Sequence, residues 1–277
     1  PGHGSQAASR LKGVVRLSGN NGAVSGWRGT VYAVANQKGG VGKTTTAINL
    51  AACLAEAGAR ALVIDLDPQA NATSGLGDRA NGRSSYDLLD GASLSHLAKP
   101  TRFPNLFLVP ARPELAGAAV ELARREDGER FLARSLAEAT AGFDVVFLDC
   151  PPSLGPLTVN ALVAADRVLV PVQAEYYALE GLTQLLHSLE LVRLRLNSRL
   201  QVAGILLTMV DRRTRLSVDV EEEVRRHLGA LVFRTSVPRS VRLAEAPSYG
   251  LPAIAYDRRS SGAEAYWKVA MELVERS

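Results

Sequence analysis

A glycine-rich turn directly after a short apolar run constrains this chain more than any other feature. The run covers residues 30–35, and the turn reads Lys-Gly-Gly-Val-Gly-Lys-Thr-Thr over residues 38–45. A strand that ends in such a turn opens a helix whose first backbone N–H groups, with the positive end of the helix dipole, converge on an anion. Lys43 can reach β- and γ-phosphates, and the Thr44 hydroxyl can bind Mg²⁺. The sequence therefore predicts a nucleoside triphosphate site.

The turn departs from the commonest phosphate-loop pattern, Gly-x4-Gly-Lys-Ser/Thr, in one informative way. Gln37 occupies the position of the first glycine, and a second lysine, Lys38, stands five residues before Lys43. Taken alone, Lys38 could be a solvated loop charge, because most lysines lie on the surface. The intact pattern around it favours a functional role instead.

Residues 38–45 resemble the deviant Walker A signature of ParA/Soj-type chromosome or plasmid partition ATPases, which are relatives of MinD. Further segments match the same family: Asp-Leu-Asp-Pro-Gln-Ala-Asn-Ala-Thr-Ser-Gly-Leu-Gly from residue 65, Leu-Asp-Cys-Pro-Pro-Ser-Leu from 148, Pro-Val-Gln-Ala-Glu-Tyr-Tyr-Ala-Leu-Glu-Gly from 171, and Val-Pro-Arg-Ser-Val-Arg-Leu-Ala-Glu-Ala-Pro-Ser from 237. The likeness runs from about residue 30 to the end of the chain. This combination of motifs is far more specific than the phosphate loop alone.

The resemblance implies a slow Mg²⁺-dependent ATP hydrolase that dimerises on ATP and that a partner stimulates. In this family the signature lysine, here Lys38, crosses to the phosphates bound by the other subunit. The resemblance also sets two residues near the adenine, the second of them a serine where relatives often carry asparagine. The nucleotide-binding residues expected on these grounds are Lys38, Gly39, Gly40, Val41, Gly42, Lys43, Thr44, Thr45, Pro238 and Ser240.

Three carboxylates at predicted strand ends complete the expected chemistry. Asp149 follows the apolar run 145–148 and is the expected Walker B carboxylate, which would hold Mg²⁺ through a water molecule while Thr44 is the expected Mg²⁺ ligand. Asp65 and Asp67 share one side of an extended segment, because side chains alternate along a strand. The resemblance assigns Asp67 to orienting the attacking water and Asp65 to supporting the magnesium site. A strand-end carboxylate that caps nearby amides is the alternative for Asp65.

Apolar runs alternate with helical periodicity through most of the chain. The predicted strands are 31–35, 61–64, 106–109, 145–148, 168–172 and 202–208, and the predicted helices are 44–57, 117–139, 177–196, 217–228 and 263–276. This alternation predicts an α/β fold, a doubly wound and mostly parallel sheet with helices on both faces and the site at the carboxyl ends of the strands. Residues 30–277 form the predicted ATPase domain, and residues 1–29 a flexible arm that begins with a tag-like remnant.

Composition is that of a globular protein, and its modest positive charge permits nucleic-acid binding without requiring it. The chain has 277 residues, 47% of them hydrophobic, and a net charge of +4. No apolar run reaches the roughly 18 residues of a membrane helix. The two cysteines, Cys53 and Cys150, stand apart and do not suggest a metal cluster. We expect a cytoplasmic protein without a membrane partner.

Clustered arginines are the candidate surface for DNA. They are Arg212, Arg213, Arg215, Arg239 and Arg242. Most charge clusters are solvated faces, but the segment from residue 237 resembles a region of Soj-like dimers that contacts DNA. The resemblance therefore implies non-specific binding of double-stranded nucleoid DNA through phosphates, together with a ParB-type centromere-binding partner.

Three other functions remain as alternatives. A MinD-like division-site ATPase would end in a basic amphipathic helix, whereas residues 265–277 carry mixed charges and core-like apolar positions. An iron–sulfur reductase component would need paired cysteines, which Cys53 and Cys150 do not resemble. A DNA-coating scaffold that scarcely hydrolyses ATP is opposed by Asp67. Chromosomal or plasmid origin, and polymerisation of the dimer, stay open.

Overall fold

The sheet has seven strands, and its order places the phosphate loop near the centre. The computed structural model describes residues 29–137, 142–175 and 178–277. The strands are β1 (Thr30–Val34), β2 (Ala61–Asp65), β3 (Lys99–Pro100), β4 (Leu106–Val109), β5 (Val145–Asp149), β6 (Arg167–Gln173) and β7 (Gln201–Thr208). Their spatial order is β3-β4-β2-β5-β1-β6-β7. Each strand predicted from the sequence is present, with ends that differ by at most one residue.

Five of the six strand pairings are parallel. Only the two-residue edge strand β3 runs antiparallel, against β4. In the registers of β1, β2 and β5, Val34 pairs with Asp149 and Asp65 pairs with Asp149. Because parallel strands end on the same side, the phosphate loop and both aspartates meet at one edge of the sheet.

Helices cover both faces of the sheet, as predicted. The described α-helices are Lys43–Glu56, Asn71–Gly75, Ser85–Leu89, Leu94–Leu97, Leu115–Arg124, Phe131–Ala137, Pro156–Ala164, Ala178–Arg195, Arg215–Leu228, Val241–Glu245, Ala253–Tyr256 and Ser261–Glu275. Alternate residues of β1 enter two separate cores: Tyr32 and Val34 belong to one, Val31 and Ala33 to the other. This alternation confirms the doubly wound α/β fold.

The single helix predicted over residues 117–139 is wrong. Leu115–Arg124 and Phe131–Ala137 are separate helices, joined through a 3-10 turn at Gly128–Arg130. Asp127 before this turn has a left-handed φ of 53°, and a Cβ on Gly128 would lie 1.9 Å from the carbonyl oxygen of Leu122. The apolar periodicity continues across the break, which is why the sequence pattern concealed it.

The short helices Asn71–Gly75 and Val241–Glu245 beside the cavity were not predicted, and Pro156–Ala164 was missed because it lacks polar–apolar periodicity. Pro156–Ala164 is apolar nearly all round and buried against its neighbours, so no amphipathic stripe marks it. The predicted arm falls outside the described residues except for Gly29, and so do Tyr177 and residues 138–139, which belonged to predicted helices. Within the described part of the chain, no helix is both long and apolar enough to span a membrane.

Candidate active site

The phosphate loop is formed by glycines in conformations that other residues avoid. Gly40 and Gly42 have φ angles of 75° and 87°, and the helix begins at Lys43. These left-handed positions turn the chain sharply enough for successive N–H groups to face one point. The Thr208 hydroxyl at the end of β7 donates to the carbonyl oxygen of Val41 at 2.8 Å. This bond attaches the loop to a neighbouring strand of the sheet.

The Lys43 side chain reaches back into the phosphate loop that precedes it and has little contact with solvent. Its side chain is buried, and Nζ donates to the carbonyl oxygen of Lys38 at 3.0 Å. Burial lowers the pKa of Lys43, while the negative charges of Asp149 and Asp67 oppose that change. The ammonium group therefore rests on a neutral carbonyl, and an anion in the loop would give it a much stronger partner.

Asp149 is a fully buried carboxylate, and within the described part of the chain neither of its oxygens has a partner in hydrogen-bonding geometry. Burial raises its pKa well above the usual value, and the charge of Asp65 raises it further. The Thr44 hydroxyl is near enough to oppose this rise but is not in hydrogen-bonding geometry. A buried, unpartnered carboxylate close to a hydroxyl fits a cation site.

The donor set around Asp149 suits Mg²⁺ in particular. Mg²⁺ in nucleotide sites takes one or two protein oxygens and completes its shell with phosphate and water. The described residues contain no group of three or more His, Cys, Asp and Glu side chains that could hold a metal alone. Thr44 and Asp149 can supply two oxygens, and the substrate would supply others.

Asp65 is engaged in the protein itself. Its Oδ2 accepts hydrogen bonds from the Thr73 amide at 2.8 Å and from the Thr73 hydroxyl at 2.7 Å, and its Oδ1 accepts from the Asp67 amide at 3.1 Å. Burial raises the pKa of Asp65 to about 6, and these bonds oppose the rise. The geometry is that of the amide-capping alternative, and Asp65 lies beside the candidate cation site rather than open to it.

Asp67 faces the cavity beside the phosphate loop. It lines that cavity together with Gly39, Lys43 and Thr44. Its Oδ1 accepts the Gln69 amide at 3.0 Å, which shapes the turn after β2. One carboxylate oxygen thus has a fixed orientation, and the group lies where a water attacking a terminal phosphate could be oriented.

Lys38 points away from this cavity. Its ammonium forms an ion pair with Glu175, and both side chains are about half exposed. The Lys38 amide also donates to the Asn36 side chain at 2.9 Å. Lys38 is absent from the residues that line the cavity, whereas its neighbours Gly39 and Gly40 are present.

The cavity has a volume of about 410 Å³, and both the phosphate loop and apolar side chains line it. Gly39, Gly40, Gly42, Lys43, Thr44 and Thr45 line the loop end. Ile48, Met209, Leu243, Ala246, Pro247 and Leu251 supply apolar surface. Such a wall suits the flat face of a nucleobase.

The two residues expected at the adenine do not line this cavity. Pro238 lines a second cavity, and Ser240 precedes the helix Val241–Glu245. Leu243, Ala246, Pro247 and Leu251, which follow in the same segment, contribute to the apolar lining. Contact of Pro238 and Ser240 with a nucleotide base therefore stays a prediction.

Sequence reasoning also missed two buried threonines, Thr73 and Thr208, which hold the loops of the site. Thr73 falls within the segment from residue 65 that resembles the family, but that resemblance gives its hydroxyl no hydrogen-bond partner. Thr208 ends a predicted strand beside the site, and position at a strand end was the only signal that could have found it.

The candidate DNA-binding arginines do not form one uniform patch. Arg212, Arg213 and Arg239 line a cavity of about 790 Å³. Arg213 pairs with Asp211, Arg215 with Asp219, and Arg242 with Glu245 and Asp257. Within the described part of the chain, Arg212 and Arg239 have no ion pair, so they carry the most available positive charge.

Comparison with known proteins identifies the family. A family model described as an AAA domain matches residues 29–202. The chromosome-partitioning ATPase Soj of Thermus thermophilus is 55% identical over 244 residues, which are 88% of this chain and 95% of that protein. The sporulation initiation inhibitor protein Soj of Bacillus subtilis is 51% identical over 248 residues, which are 88% of this chain and 98% of that protein.

Solved structures agree on the fold. A Mycobacterium smegmatis structure named cobyrinic acid a,c-diamide synthase, with bound ADP and magnesium, is 39% identical with a TM-score of 0.77 and covers 87% of this chain and 92% of its own. An ATP complex of a McdA variant from Cyanothece, at 23% identity, shows the fold alone, with a TM-score of 0.81 over 90% of this chain and 98% of its own. Because the relatives with the higher identities carry partition names, the chain belongs to the Soj/ParA family of chromosome-partitioning ATPases.

Proposed function

We propose that this chain binds ATP with Mg²⁺, dimerises around it, binds DNA non-specifically as the dimer, and moves chromosome or plasmid DNA with a ParB-type partner. The observation that carries the proposal is the position of Lys38. This second lysine of the loop is half-exposed and lies outside the cavity its own loop lines. A charge in that place is available to phosphates held by another subunit.

Within one subunit, the loop amides and Lys43 would bind the β- and γ-phosphates, and Thr44 and Asp149 would hold Mg²⁺. Bound magnesium would offset phosphate charge during transfer. Lys43 would exchange its neutral carbonyl partner for phosphate oxygens, a stronger charge-assisted contact. Asp67 would orient the attacking water, and Asp65 would support this site through the turn that carries Asp67.

Between two subunits, ATP would act as part of the interface. Two triphosphates facing each other repel, and a Lys38 from each side offsets that charge. Lys38 must leave Glu175 to do so. That exposed pair contributes little stability, so the exchange costs little. Hydrolysis and phosphate release would remove the bridging charge and let the subunits separate.

The available charges of Arg212 and Arg239 support a DNA surface that reads phosphates rather than bases. Dimerisation would double this surface, so we expect the monomer to bind DNA more weakly than the dimer. A slow intrinsic rate would keep the dimer on nucleoid DNA, in the cytoplasm, until a ParB-type partner stimulates hydrolysis. These steps together would give directed DNA movement.

A MinD-like membrane role has no support from the C-terminal helix Ser261–Glu275. Tyr266, Trp267, Val269, Ala270 and Leu273 of this helix are buried in the core beneath the phosphate-loop helix. An apolar face that is packed in the core is not available for a lipid surface.

Light scattering with the purified chain tests the proposal. ATP with Mg²⁺ should double the molecular mass, and Lys38→Ala should prevent this while nucleotide binding is retained in part. Lys99→Ala is the matched control, because Lys99, on the edge strand β3 and away from the loop, is a partly exposed lysine that forms an ion pair with Asp78. An ATP-dependent dimer that persists in Lys38→Ala would remove the role of Lys38 across the interface.

A further inference from the structure

A buried hydroxyl connects the turn of Asp67 to two strands of the sheet. Thr73 is 2% exposed and lies in the short helix Asn71–Gly75 after that turn. Its hydroxyl donates to Asp65 Oδ2 at 2.7 Å and accepts the Ala111 amide at 2.8 Å. Asp65 ends β2, and Ala111 follows β4, so the hydroxyl bridges two neighbouring strand ends.

The same network fixes the backbone of Asp67. Asp65 holds the Thr73 amide with one oxygen and the Asp67 amide with the other, at 2.8 Å and 3.1 Å. Both ends of the seven-residue segment from Asp67 to Thr73 are therefore held by a single carboxylate. The direction of that carboxylate depends on the Thr73 hydroxyl, which is its only side-chain donor in the described part of the chain.

The segment needs this restraint because its own conformation is strained. Ala70, between the two anchored ends, has φ 54° and ψ 37°, a left-handed conformation that costs a non-glycine residue roughly 1–2 kcal/mol. Without the anchors the segment would relax, and the Asp67 carboxylate would shift. A displacement of about 1 Å at a group that positions a reactant can cost about 100-fold in rate.

We propose that Thr73 is a positioning residue for hydrolysis, whose hydroxyl holds Asp65 and thereby orients Asp67 toward the attacking water. This inference rests on the proposed function, because it needs Asp67 to act on that water. Thr73 itself does not line the cavity. It should therefore affect the rate of hydrolysis and leave ATP affinity nearly unchanged.

The experiment measures single-turnover ATP hydrolysis with excess protein and Mg²⁺, and ATP affinity by calorimetry. Thr73→Val should slow hydrolysis about 10- to 100-fold, with affinity within about threefold of the parent. Thr73→Ser keeps the hydroxyl and should retain the parent rate. Thr101→Val is the control, because the Thr101 hydroxyl also holds a turn, with a bond to the Leu106 carbonyl at 2.9 Å, but away from the cavity.

A double-variant comparison shows whether Thr73 acts through Asp67. Thr73→Val should have no further effect in the Asp67→Ala background. Three results would overturn the inference: the parent rate of hydrolysis in Thr73→Val, additive losses of rate in the double variant, or slow hydrolysis by Thr73→Ser. If Thr73→Val does not fold, the rate of Thr73→Ser decides the question. A parent rate in Asp67→Ala would instead remove the catalytic role of Asp67 itself, and the inference with it.

Discussion

Single residues of the site differ in how far they could be predicted from the sequence. Lys43, Thr44 and Asp149 belong to short motifs whose chemistry depends on neighbours in the chain, and all three lie together at the strand ends. The role of Thr208 comes from its hydrogen bond to the carbonyl oxygen of Val41, 167 residues away in the sequence. No local pattern encodes such a contact, so it becomes visible only in the folded chain.

Lys43→Ala should weaken ATP binding about 10- to 100-fold, because a hydrogen bond to a charged group contributes about 1.5–3 kcal/mol. Calorimetric titration with ATP and Mg²⁺ measures the change, with Lys99→Ala as the control for the loss of a lysine away from the loop. Unchanged affinity in Lys43→Ala would contradict the phosphate-loop assignment.

Ala70→Gly should stabilise the fold by about 1 kcal/mol or less. Glycine removes the left-handed strain of about 1–2 kcal/mol but loses about 0.5–1 kcal/mol more backbone entropy on folding. Ala72→Gly, two residues later in the buried helical turn, should destabilise by about 1 kcal/mol. Urea denaturation measures the change in the free energy of unfolding for both variants. A change of the same sign in both would show that relief of left-handed strain at position 70 does not stabilise the fold.

Secondary-structure elements were predictable where periodicity and burial agree. Parallel strands buried on both faces gave continuous apolar runs, and all six runs are strands. Residues 117–139 show the limit of the method. Their helical periodicity is real, but the chain turns at Gly128, where a Cβ would lie 1.9 Å from the Leu122 carbonyl oxygen, and no periodicity reports such a close backbone approach.

Gly128→Ala should destabilise the fold by about 1–3 kcal/mol, the range for forced overpacking. The added methyl would meet the Leu122 carbonyl oxygen at 1.9 Å, so the turn must move. Gly117→Ala is the matched control, since Gly117 is exposed within a helix and its Cβ would meet nothing within 4 Å. Thermal unfolding should show a lower midpoint for the first and an unchanged or higher one for the second; the same midpoint for both would contradict the steric account.

At the scale of the whole molecule, the segment from residue 237 contributes both to the cavity beside the phosphate loop and to the cavity that Arg212, Arg213 and Arg239 line. Arg239 lies on the basic cavity, while Leu243 and Pro247, a few residues on, line the cavity of the phosphate loop. The sequence could predict that this segment serves both sites, since one motif contains all these residues. It could not predict that Arg242 is paired with Glu245 and Asp257, because such pairs depend on how the short helices pack.

The central claim is that ATP controls DNA binding. It is tested most directly by measuring DNA affinity without nucleotide, with ADP and with ATP, each at several salt concentrations. ATP should be required, and with about 4–6 phosphate contacts log K should fall with log salt at a slope of about −4 to −5. Arg212→Ala with Arg239→Ala should weaken binding equally for unrelated sequences and leave the ATP-dependent dimer intact. Strong binding without nucleotide, or a loss confined to one DNA sequence, would contradict the account.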